Sequence, residues 1–540
     1  MNYKLIGEND ILNPREQILK NRNTTMERLN PTIEVVEDYS NYDNMDRAIM
    51  TLMHHIKNNG NIGIIVDEDC DGMCSATIMY RYLKEVLNYE ADLLVHNKAK
   101  AHGISSDLNI EKGFYNLIIS PDGGTNNREE IKALEKEGTQ VLVLDHHLKS
   151  DDIEELDYGI IVNNQTSKNV ENKALCGAGV VYKFLCALSD EFNLSSPSKY
   201  LDLVAIANVG DAMDISSLET RYYVKLGLED IQNSFIKAIM EVKSFEMSGK
   251  INPMSFSFNV IPLINAVIRS GTFEEKMVMI WAFISDDEEY CNDIAKKLKN
   301  IKSKQDSYVK RNMEKILKTL TINEEDRIIF VDGTGLKNTV FGLIATKISD
   351  KFKLPCIMYS INETTLVCGG SARGLEPIHL KEDLAKSQLV ISCDGHSNAH
   401  GILFEQSNLE SLKKYMNNLY KDVYFGNSKV YDVDFEIYSF FLDNLLVKEM
   451  AYFEDEVSRG FEQPLIVIKN VDLALTDENV KGKLNVIFEV GNVKIVKRFA
   501  SKVWKEEFLY NPITVDIIGK CVKGYNDEAL VEIVDLIIKE

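Results

Sequence analysis

Short apolar runs alternate with amphipathic segments between residues 62 and 228, and polar side chains follow several of these runs. Ile62–Val66 is typical of a buried strand, and beyond Gly72 the apolar positions recur with a helical spacing. This alternation predicts an α/β fold with a parallel sheet that carries helices on both faces. The other predicted strands are Ala91–His96, Leu117–Ser120, the run that begins at Val141, and Gly159–Val162, and the predicted helices are Arg128–Glu137 and Ala178–Leu188.

Three acidic residues stand at alternate positions directly after the first predicted strand. They are Asp67, Asp69 and Asp71. Open α/β sheets bind ligands at the carboxyl ends of their strands, and carboxylates this close repel each other unless a cation neutralises them. Oxygen-rich ligand sets suit Mg²⁺ or Mn²⁺. The alternative is a polar turn in which an Asp caps the following helix, and this explains only one of the three acids well.

A second apolar run, Val141–Leu144, ends in Asp145, His146 and His147. Histidine is a common metal ligand, and adjacent residues of a strand point to opposite faces, so at most one of the two faces a given site. The other is expected to anchor the loop, and Asp145 either orients a ring or contacts a metal itself. A structural His-His pair is the alternative, but two strands that end in this way favour a shared metal centre.

Two further acids follow apolar runs. Asp122 lies in the turn after Leu117–Ser120, and the run Leu203–Ile215 contains Asp211 with Asp214 close behind. We interpret both as acids at strand ends. Four such positions and one histidine suffice for a two-metal site that activates water and stabilises the leaving oxygen of a phosphoester.

Residues 229–320 are predicted to be mostly helical. Asp286–Leu320 is a long, lysine-rich amphipathic segment without Gly or Pro, for which a solvated connecting helix is the expectation. Before it, Asn265 and Arg269 are four residues apart and therefore share a helical face. From the residues alone, this pair predicts a helix cap or an ion pair.

Residues 325–425 are predicted to form a second, smaller α/β unit. Gly369–Gly374 combines glycines with Ser371 and Arg373, which suits a phosphate cradle, although a simple glycine-rich turn is the alternative. His396 lies in another predicted loop, Asp394–Gly401.

Residues 426–540 change character again. A helix is predicted at Ser439–Val457, and about five short strands with polar turns follow it. This pattern predicts a small β-barrel, with the OB-fold, a common binder of single-stranded nucleic acid, as the natural candidate. Trp504, Phe508 and Tyr510 either stack on bases or pack in the core.

Composition narrows these expectations. A chain of 540 residues is expected to contain three or four domains. The formal net charge is −22, so binding to DNA is expected to be modest and sensitive to salt, and a small anionic substrate or a partner that delivers DNA is compatible. No apolar run approaches the roughly 20 residues of a membrane span. Nine scattered cysteines without a CxxC pair, and an N-terminus unlike a signal peptide, predict a cytoplasmic protein.

The ordered motifs resemble the DHH phosphoesterase superfamily, and in particular the RecJ-like single-strand-specific exonucleases. The resemblance spans some 340 residues, and the order of its parts is more specific than any one of them. The chain departs from the usual pattern in two places, because Glu68 stands between Asp67 and Asp69 where tyrosine is usual, and Asp394 replaces the first glycine of a Gly-Gly-His motif. The matching motifs are DEDCDG (67–72), SPDGG (120–124), LDHH (144–147), NNQ (163–165), CGAGVVYK (176–183), NVGDAMD (208–214), PLINAVIR (262–269), GGSARG (369–374) and DGHSNAHG (394–401).

The resemblance implies two Mn²⁺ or Mg²⁺ ions and assigns roles to individual residues. Asp145 and His147 belong to the implied catalytic group together with the metal ligands. The implied metal ligands are Asp69, Asp71, Asp122, His146 and Asp211. The implied substrate contacts are Asp67, Asn265, Arg269, Ser371, Arg373 and His396. From its position in the loop after the Ala91–His96 strand, His102 either faces the substrate or belongs to a simple turn.

The resemblance also implies the domain order and the activity. The domains would be a lead-in (1–60), a DHH catalytic domain (61–235), a helical connector (236–322), a DHHA1-type substrate domain (323–425), and a linker helix with an OB-like domain (426–540). The activity would be exonucleolytic hydrolysis of single-stranded DNA, 5′ to 3′, in repair, recombination or replication, with a single-strand-binding protein or helicase as a possible partner. The alternatives are a phosphodiesterase for short oligonucleotides or cyclic dinucleotides, and a non-catalytic repair scaffold.

Overall fold

The computed structural model describes residues 3–96, 102–108, 110–111, 113–150, 158–423, 425, 430–482, 485–524 and 528–539. The chain divides into two compact units. The first contains Met1–Asn265, Met277–Lys296 and Val430–Glu540, and the second contains Ala266–Lys276 and Lys297–Lys429.

A five-stranded parallel sheet forms the centre of the first unit, as the alternation of strands and helices predicts. The Ile62–Val66 strand pairs with Asp92–Val95, the next strand along the chain, on one side. On its other side it pairs with Leu117–Pro121, the strand after that. The chain therefore reverses its winding direction at this point, which is where open α/β sheets place their ligands. In spatial order the strands are Asp92–Val95, Ile62–Val66, Leu117–Pro121, Gln140–Asp145 and Ile160–Asn163.

Apolar strands buried on both faces explain why this sheet is covered by helices. All residues of Ile62–Val66 and Leu117–Pro121 are buried, as expected for a parallel sheet between helical layers. The helices of this part are Met45–Lys57, Cys70–Val86, Arg128–Lys136, Gly177–Phe192, Leu201–Gly210 and Leu218–Glu229.

The interpretation of Leu203–Ile215 as a strand end is wrong. The segment Leu201–Gly210 is an α-helix, and Asp211 is its C-cap residue. Leu201–Val209 is buried throughout, so the helix has no exposed polar face and lacks the amphipathic period that distinguishes a helix from a strand.

Gly227 allows the Leu218–Glu229 helix to pack closely against the Leu201–Gly210 helix. A Cβ atom on Gly227 would lie 2.1 Å from the backbone oxygen of Leu201. We expect Gly227→Ala to lower the free energy of unfolding by about 1–3 kcal/mol, because the two helices must move apart. Urea unfolding checks this, with Gly369→Ala as the control, since its nearest neighbour is the flexible tip of Leu403 at 3.3 Å. Equal effects of the two substitutions would contradict this account.

Helices dominate residues 234–319, as predicted. Glu288–Thr319 is a single helix of 32 residues, in agreement with the long lysine-rich helix expected from the sequence. The other helices are Ser234–Val242, Ser244–Met247, Pro253–Asn259, Ile261–Ser270 and Phe273–Ile284.

The second unit contains a five-stranded mixed sheet. A strand at Thr365–Ser371 is predicted from the sequence, and the observed strand, Val367–Arg373, includes most of the glycine-rich segment. The predicted loop Asp394–Gly401 instead belongs to a hairpin of Ser392–His396 and Ala399–Glu405. Gly370 serves strand packing, since a Cβ atom there would lie 2.1 Å from the backbone oxygen of Met358. The remaining strands are Ile329–Asp332 and Cys356–Ile361, and the helices are Phe341–Phe352, Leu380–Lys386 and Leu409–Leu419.

The C-terminal part forms a seven-stranded sheet, and the prediction of a closed barrel is wrong. Its two outer strands, Phe435–Tyr438 and Val480–Lys481, do not pair with each other within the described residues. The predicted helix is shorter, Asn444–Ala451, and packs on the sheet together with Pro14–Asn21 from the N-terminus. In spatial order the strands are Phe435–Tyr438, Leu465–Leu473, Ile513–Lys523, Ala529–Ile538, Val493–Lys497, Asn485–Val490 and Val480–Lys481.

Three further observations complete the description of the fold. All nine cysteines are free. Within the described ranges, every helix is too short or too polar to cross a membrane. The N-terminal strand Tyr3–Leu5 pairs with Tyr431–Val433, so the first residues are part of the C-terminal assembly of strands.

Candidate metal centre

Five acidic residues and one histidine meet at the carboxyl ends of neighbouring strands. Asp67, Asp69 and Asp71 follow the Ile62–Val66 strand, and Asp122 follows the adjacent Leu117–Pro121 strand. His146 follows the next strand, and Asp211 reaches the same point from the end of its helix. Because the strands run parallel, acids that are far apart in the sequence lie together at one edge of the sheet.

Asp69 and Asp71 both receive hydrogen bonds from helix N-termini. The Asp69 carboxylate accepts a bond of 2.8 Å from the backbone N–H of Gly72, so Asp69 caps the Cys70–Val86 helix. Asp71 accepts bonds of 2.6 and 2.8 Å from the N–H groups of Gly177 and Ala178. The capping alternative therefore describes Asp69, while Asp71 is held by a second helix.

Asp122 has a buried carboxylate without a hydrogen bond. Its residue is 1% exposed, its φ is +62°, and neither carboxylate oxygen finds a hydrogen-bond partner among the described residues. Burial, followed by the charges of Asp71 and Asp69, raises the pKa of Asp122 well above its usual value. An uncompensated buried carboxylate is costly, and a divalent cation supplies the missing compensation. This residue therefore fits a metal site.

His146 lies among three of the acids. Its Nε2 atom is 3.2 Å from Asp122 Oδ1, 3.7 Å from Asp71 Oδ2 and 3.8 Å from Asp211 Oδ2. Burial lowers the pKa of His146, which favours the neutral imidazole that metals require.

The candidate ligand atoms form overlapping triads within 4.8 Å. Asp122 and His146 each belong to two of the triads. The triads are Asp71–His146–Asp211, Asp67–Asp69–Asp122 and Asp122–His146–His147.

Two other acids have raised pKa values. Burial, Asp67 and Asp71 raise the pKa of Asp69 to about 6. Burial, Asp71 and Asp69 raise the pKa of Asp211 to about 8. Because the carboxylates repel one another, a bound cation has to displace protons at neutral pH.

Asp145 orients the two histidines. Its carboxylate accepts hydrogen bonds from the backbone N–H groups of Thr125, His146 and His147 and lies 2.8 Å from His147 Nδ1. Burial opposes ionisation, but the hydrogen bond from His147 holds the pKa of Asp145 well below its usual range. The sequence left open whether Asp145 orients a ring or contacts a metal, and these four contacts support orientation.

Known proteins with similar sequences identify the family. Residues 61–208 match the model of the DHH family, N-terminal domain. The SPβ prophage-derived protein YorK of Bacillus subtilis (strain 168), which is named as a single-strand DNA-specific exonuclease, is 31% identical over 96% of this chain and 95% of its own length. The chain belongs to the DHH superfamily and is RecJ-like.

Two further comparisons support this membership. RecJ of Bacillus subtilis (strain 168), named as a single-stranded-DNA-specific exonuclease, is 24% identical over 69% of this chain and 47% of its own length. Crystal structures of RecJ from Thermus thermophilus in complex with Mn²⁺ and Mg²⁺ match with TM-scores of 0.79 and 0.73. They are 20% and 18% identical and cover 98% of this chain and 76% and 75% of those chains. At this identity the likeness shows that the fold is shared.

His102 lies beside the acidic cluster of this RecJ-like protein and contacts Asp67. Its Nδ1 atom contacts Asp67 Oδ2, and the backbone N–H of Gly103 donates to Asp67 Oδ1 at 2.9 Å. Burial lowers the pKa of His102, but the hydrogen bond and charge of Asp67 outweigh it and raise the pKa to about 9. The side chains of His102 and His147 remain 45% and 41% exposed, and their rings lie 4.6 Å apart.

Two residues that support the DHH cluster received no role from the sequence: His96, which was missed, and Asn163, which belongs to the NNQ motif. His96 is fully buried, with Nε2 3.6 Å from Asp67 and Nδ1 3.3 Å from Asp107. Its position after the Asp92–Val95 strand is the signal that could have found it. Asn163 lies at the end of its strand and donates a bond of 2.9 Å to the backbone oxygen of His147.

The remaining predicted substrate contacts lie in other parts of the RecJ-like fold. Asn265 and Arg269 are on the Ile261–Ser270 helix, and Ser371 and Arg373 are on the Val367–Arg373 strand. Burial and the charge of Arg269 lower the pKa of Arg373, so these two guanidinium groups influence each other. The backbone of His396 belongs to a strand, but its side chain lies outside the described residues.

Proposed function

We propose that this protein is a metal-dependent exonuclease that hydrolyses single-stranded DNA from the 5′ end. The observation that carries the proposal is Asp122, a buried carboxylate without a hydrogen bond that is shared by two ligand triads. YorK and RecJ, which are named as exonucleases specific for single strands, support the choice of substrate.

The proposed ligands of two Mn²⁺ or Mg²⁺ ions are Asp69, Asp71, Asp122, His146 and Asp211. When bound, such ions supply activation of water and neutralisation of the charge that develops on the phosphodiester. Asp71 is oriented by the Gly177–Phe192 helix, and the backbone of His146 is held by Asp145. Burial keeps His146 neutral, so its imidazole offers a lone pair to an ion.

The exposed histidines are proposed to contact the substrate. Because the pKa of His102 is raised to about 9, this side chain is cationic at neutral pH. Asp145 raises the pKa of His147 although burial lowers it. Two exposed imidazoles 4.6 Å apart beside an acidic cluster would attract a phosphate. Asn265, Arg269, Ser371, Arg373 and His396 are also proposed to contact the substrate.

Digestion of end-labelled DNA tests the proposal. In Mn²⁺, a 5′-labelled single strand is expected to release labelled mononucleotide first, a 3′-labelled strand is expected to shorten progressively, and a duplex is expected to survive. Asp69→Ala should lose this activity, because Asp69 belongs to a ligand triad. Glu130→Ala, which removes an acid from a surface helix, serves as the control and should retain it.

Other outcomes of the same assay identify the alternatives. If the wild type cleaves dinucleotides or cyclic dinucleotides while long strands survive, the proposed metal centre stands and the proposed substrate is wrong. Release of the 3′ label first would show that the protein digests strands from the 3′ end. Survival of every substrate would favour a non-catalytic scaffold.

The biological setting is also proposed. DNA repair, recombination or replication in the cytoplasm would supply single strands, and a single-strand-binding protein or a helicase would deliver them. With a net charge of −22, the protein gains little attraction for DNA from its overall field, so delivery by a partner would increase its access to strands.

A further inference from the structure

A tight turn in the C-terminal part of the chain contacts the loop that follows Asp211. The turn consists of Ser458–Phe461, whose end residues exchange backbone hydrogen bonds of 3.1 Å. At its tip, Arg459 Nη1 donates a hydrogen bond of 2.9 Å to the backbone oxygen of Ala212. In the other direction, the N–H of Ile215 donates to the backbone oxygen of Arg459 at 3.0 Å. Two reciprocal contacts therefore join the turn to the loop.

The turn contacts the loop at the end of a helix. Ala212 has a φ of +53°, in the left-handed region that residues with a Cβ atom seldom adopt. Ala212 directly follows Asp211 at the end of the Leu201–Gly210 helix, and the N–H of Met213 closes this end with a hydrogen bond of 2.9 Å to the backbone oxygen of Asn208. The helix holds this backbone from one side, and Arg459 adds a contact to the backbone oxygen of Ala212, the residue next to Asp211.

Gly460 makes the contact between the turn and the loop very close. Its φ is +91°, and a Cβ atom on it would lie 2.1 Å from Asp214 Oδ1 and 2.7 Å from the backbone nitrogen of Ser216. Asp214 Oδ1 itself accepts a hydrogen bond of 2.8 Å from the Ser216 N–H. Any larger residue at position 460 would therefore push the loop away.

A buried arginine holds the loop from the other side. Arg221 Nε donates a hydrogen bond of 3.0 Å to the backbone oxygen of Ile215, and its Nη1 atom lies 3.0 Å from Glu456 Oε2. Glu456 also pairs with Lys225 at 2.8 Å. These contacts tie the loop, the Leu218–Glu229 helix and the segment before the turn into one network.

We propose that the Ser458–Phe461 turn positions Asp211 for metal binding, with Arg459 as a positioning residue. This inference rests on the proposed metal centre and extends it, because it makes the C-terminal part of the chain a structural requirement of that centre. Residues that orient a metal ligand typically change metal affinity 10- to 100-fold when they are replaced. The effect should be confined to the ion that Asp211 binds.

Titration of the full-length protein with Mn²⁺ alone, followed by electron paramagnetic resonance of the free ion, tests this inference. For Arg459→Ala we expect one ion to bind about tenfold more weakly, while the thermal midpoint changes by about 2 °C or less, since the side chain is exposed. Arg459→Lys retains a donor and a charge and should restore most of the affinity. Arg498→Ala is the matched control, because Arg498 is also an exposed arginine of the C-terminal part and its partner is Glu532.

Gly460→Ala separates positioning from charge. This variant keeps the Arg459 guanidinium but displaces the loop, so we expect the same weakening of one ion. Normal Mn²⁺ binding by Gly460→Ala, or equal binding by Arg459→Ala and Arg498→Ala, would overturn the inference. Absence of Mn²⁺ binding by the wild type would instead overturn the proposed metal centre, and the inference with it.

Discussion

Asp122→Asn is expected to abolish the proposed nuclease activity and at the same time to stabilise the metal-free protein. Asn has nearly the same shape as Asp, so the substitution removes a charge and leaves the packing in place. Loss of a shared ligand should reduce hydrolysis by at least about 10³-fold, since metal ions contribute several kcal/mol to such reactions. The measurements are digestion of labelled single strands in Mn²⁺ and thermal unfolding in EDTA.

The gain in stability follows from the surroundings of Asp122. Its carboxylate is buried without a hydrogen bond and is repelled by Asp71 and Asp69. A neutral amide removes this repulsion, and its N–H groups can donate to the neighbouring carboxylates. We expect the metal-free variant to gain about 1–2 kcal/mol in the free energy of unfolding, as other substitutions that relieve a strained site do.

Asp145→Asn is the matched control for this prediction. Asp145 is equally buried, but its carboxylate is surrounded by donors from Thr125, His146 and His147. Its replacement should therefore destabilise the metal-free protein by about 2–3 kcal/mol, because hydrogen bonds to a charged group are lost. If Asp122→Asn destabilises the protein as Asp145→Asn does, Asp122 is a structural residue and the metal centre is in doubt.

Added Mn²⁺ is expected to raise the thermal midpoint more at about pH 8 than at about pH 6. The pKa of Asp69 is raised to about 6 and that of Asp211 to about 8, so near pH 6 these groups still carry protons that an ion must displace. Each proton released on binding strengthens the apparent affinity about tenfold per pH unit. An ion at a hundred times its dissociation constant stabilises the folded state by about 2.7 kcal/mol.

Without metal, the same groups should make the folded state less stable as the pH rises. A carboxyl group whose pKa is raised by folding stabilises the folded state while it is protonated, and this contribution is lost as the pH rises through the folded pKa. The midpoint in EDTA should therefore fall between about pH 6 and pH 8. Asp211→Asn removes the group that titrates near pH 8, so it should flatten the upper part of this dependence. Equal Mn²⁺ effects at both pH values would contradict the assignment of these carboxylates as ligands.

The two predictions test different properties of the cluster. Asp122→Asn tests whether one carboxylate is held at a cost to stability for the sake of metal binding, and the pH series tests whether the remaining acids exchange protons for an ion. Together with the Arg459 variants, they separate the ligands from the residues that orient them.

Some of the site could be predicted because local patterns set the ends of strands. Apolar runs followed by polar residues identify Asp67, Asp69, Asp71, Asp122 and the pair His146–His147, and parallel strands place their carboxyl ends at the same edge of a sheet. The choice of His146 from this pair came from the resemblance. The clustering of these residues therefore follows from periodicity and from the direction of the strands. The motif order in the chain also identifies the DHH superfamily.

Local sequence patterns do not reveal which buried polar groups have hydrogen-bond partners. Asp122 and Asp145 both follow buried strands, yet one lacks hydrogen bonds and the other accepts several. The difference arises from backbone N–H groups of Thr125 and of the residues after Asp145, whose directions depend on the path of the loops. His96 also follows a strand, but its contact with Asp67 depends on the pairing of that strand with Ile62–Val66.

The sequence by itself determined the parallel sheet, the positions of most acids and the family, because these depend on short periodic segments and on the order of motifs. Only the tertiary structure decided that Asp211 ends a helix, that the C-terminal sheet stays open, and that Arg459 supports the loop after Asp211. Residues 212 and 459 are far apart in the chain, and Tyr3 pairs with Tyr431 over a still longer separation. Such pairings arise from the packing of the whole chain, and no local pattern of apolar and polar residues specifies them.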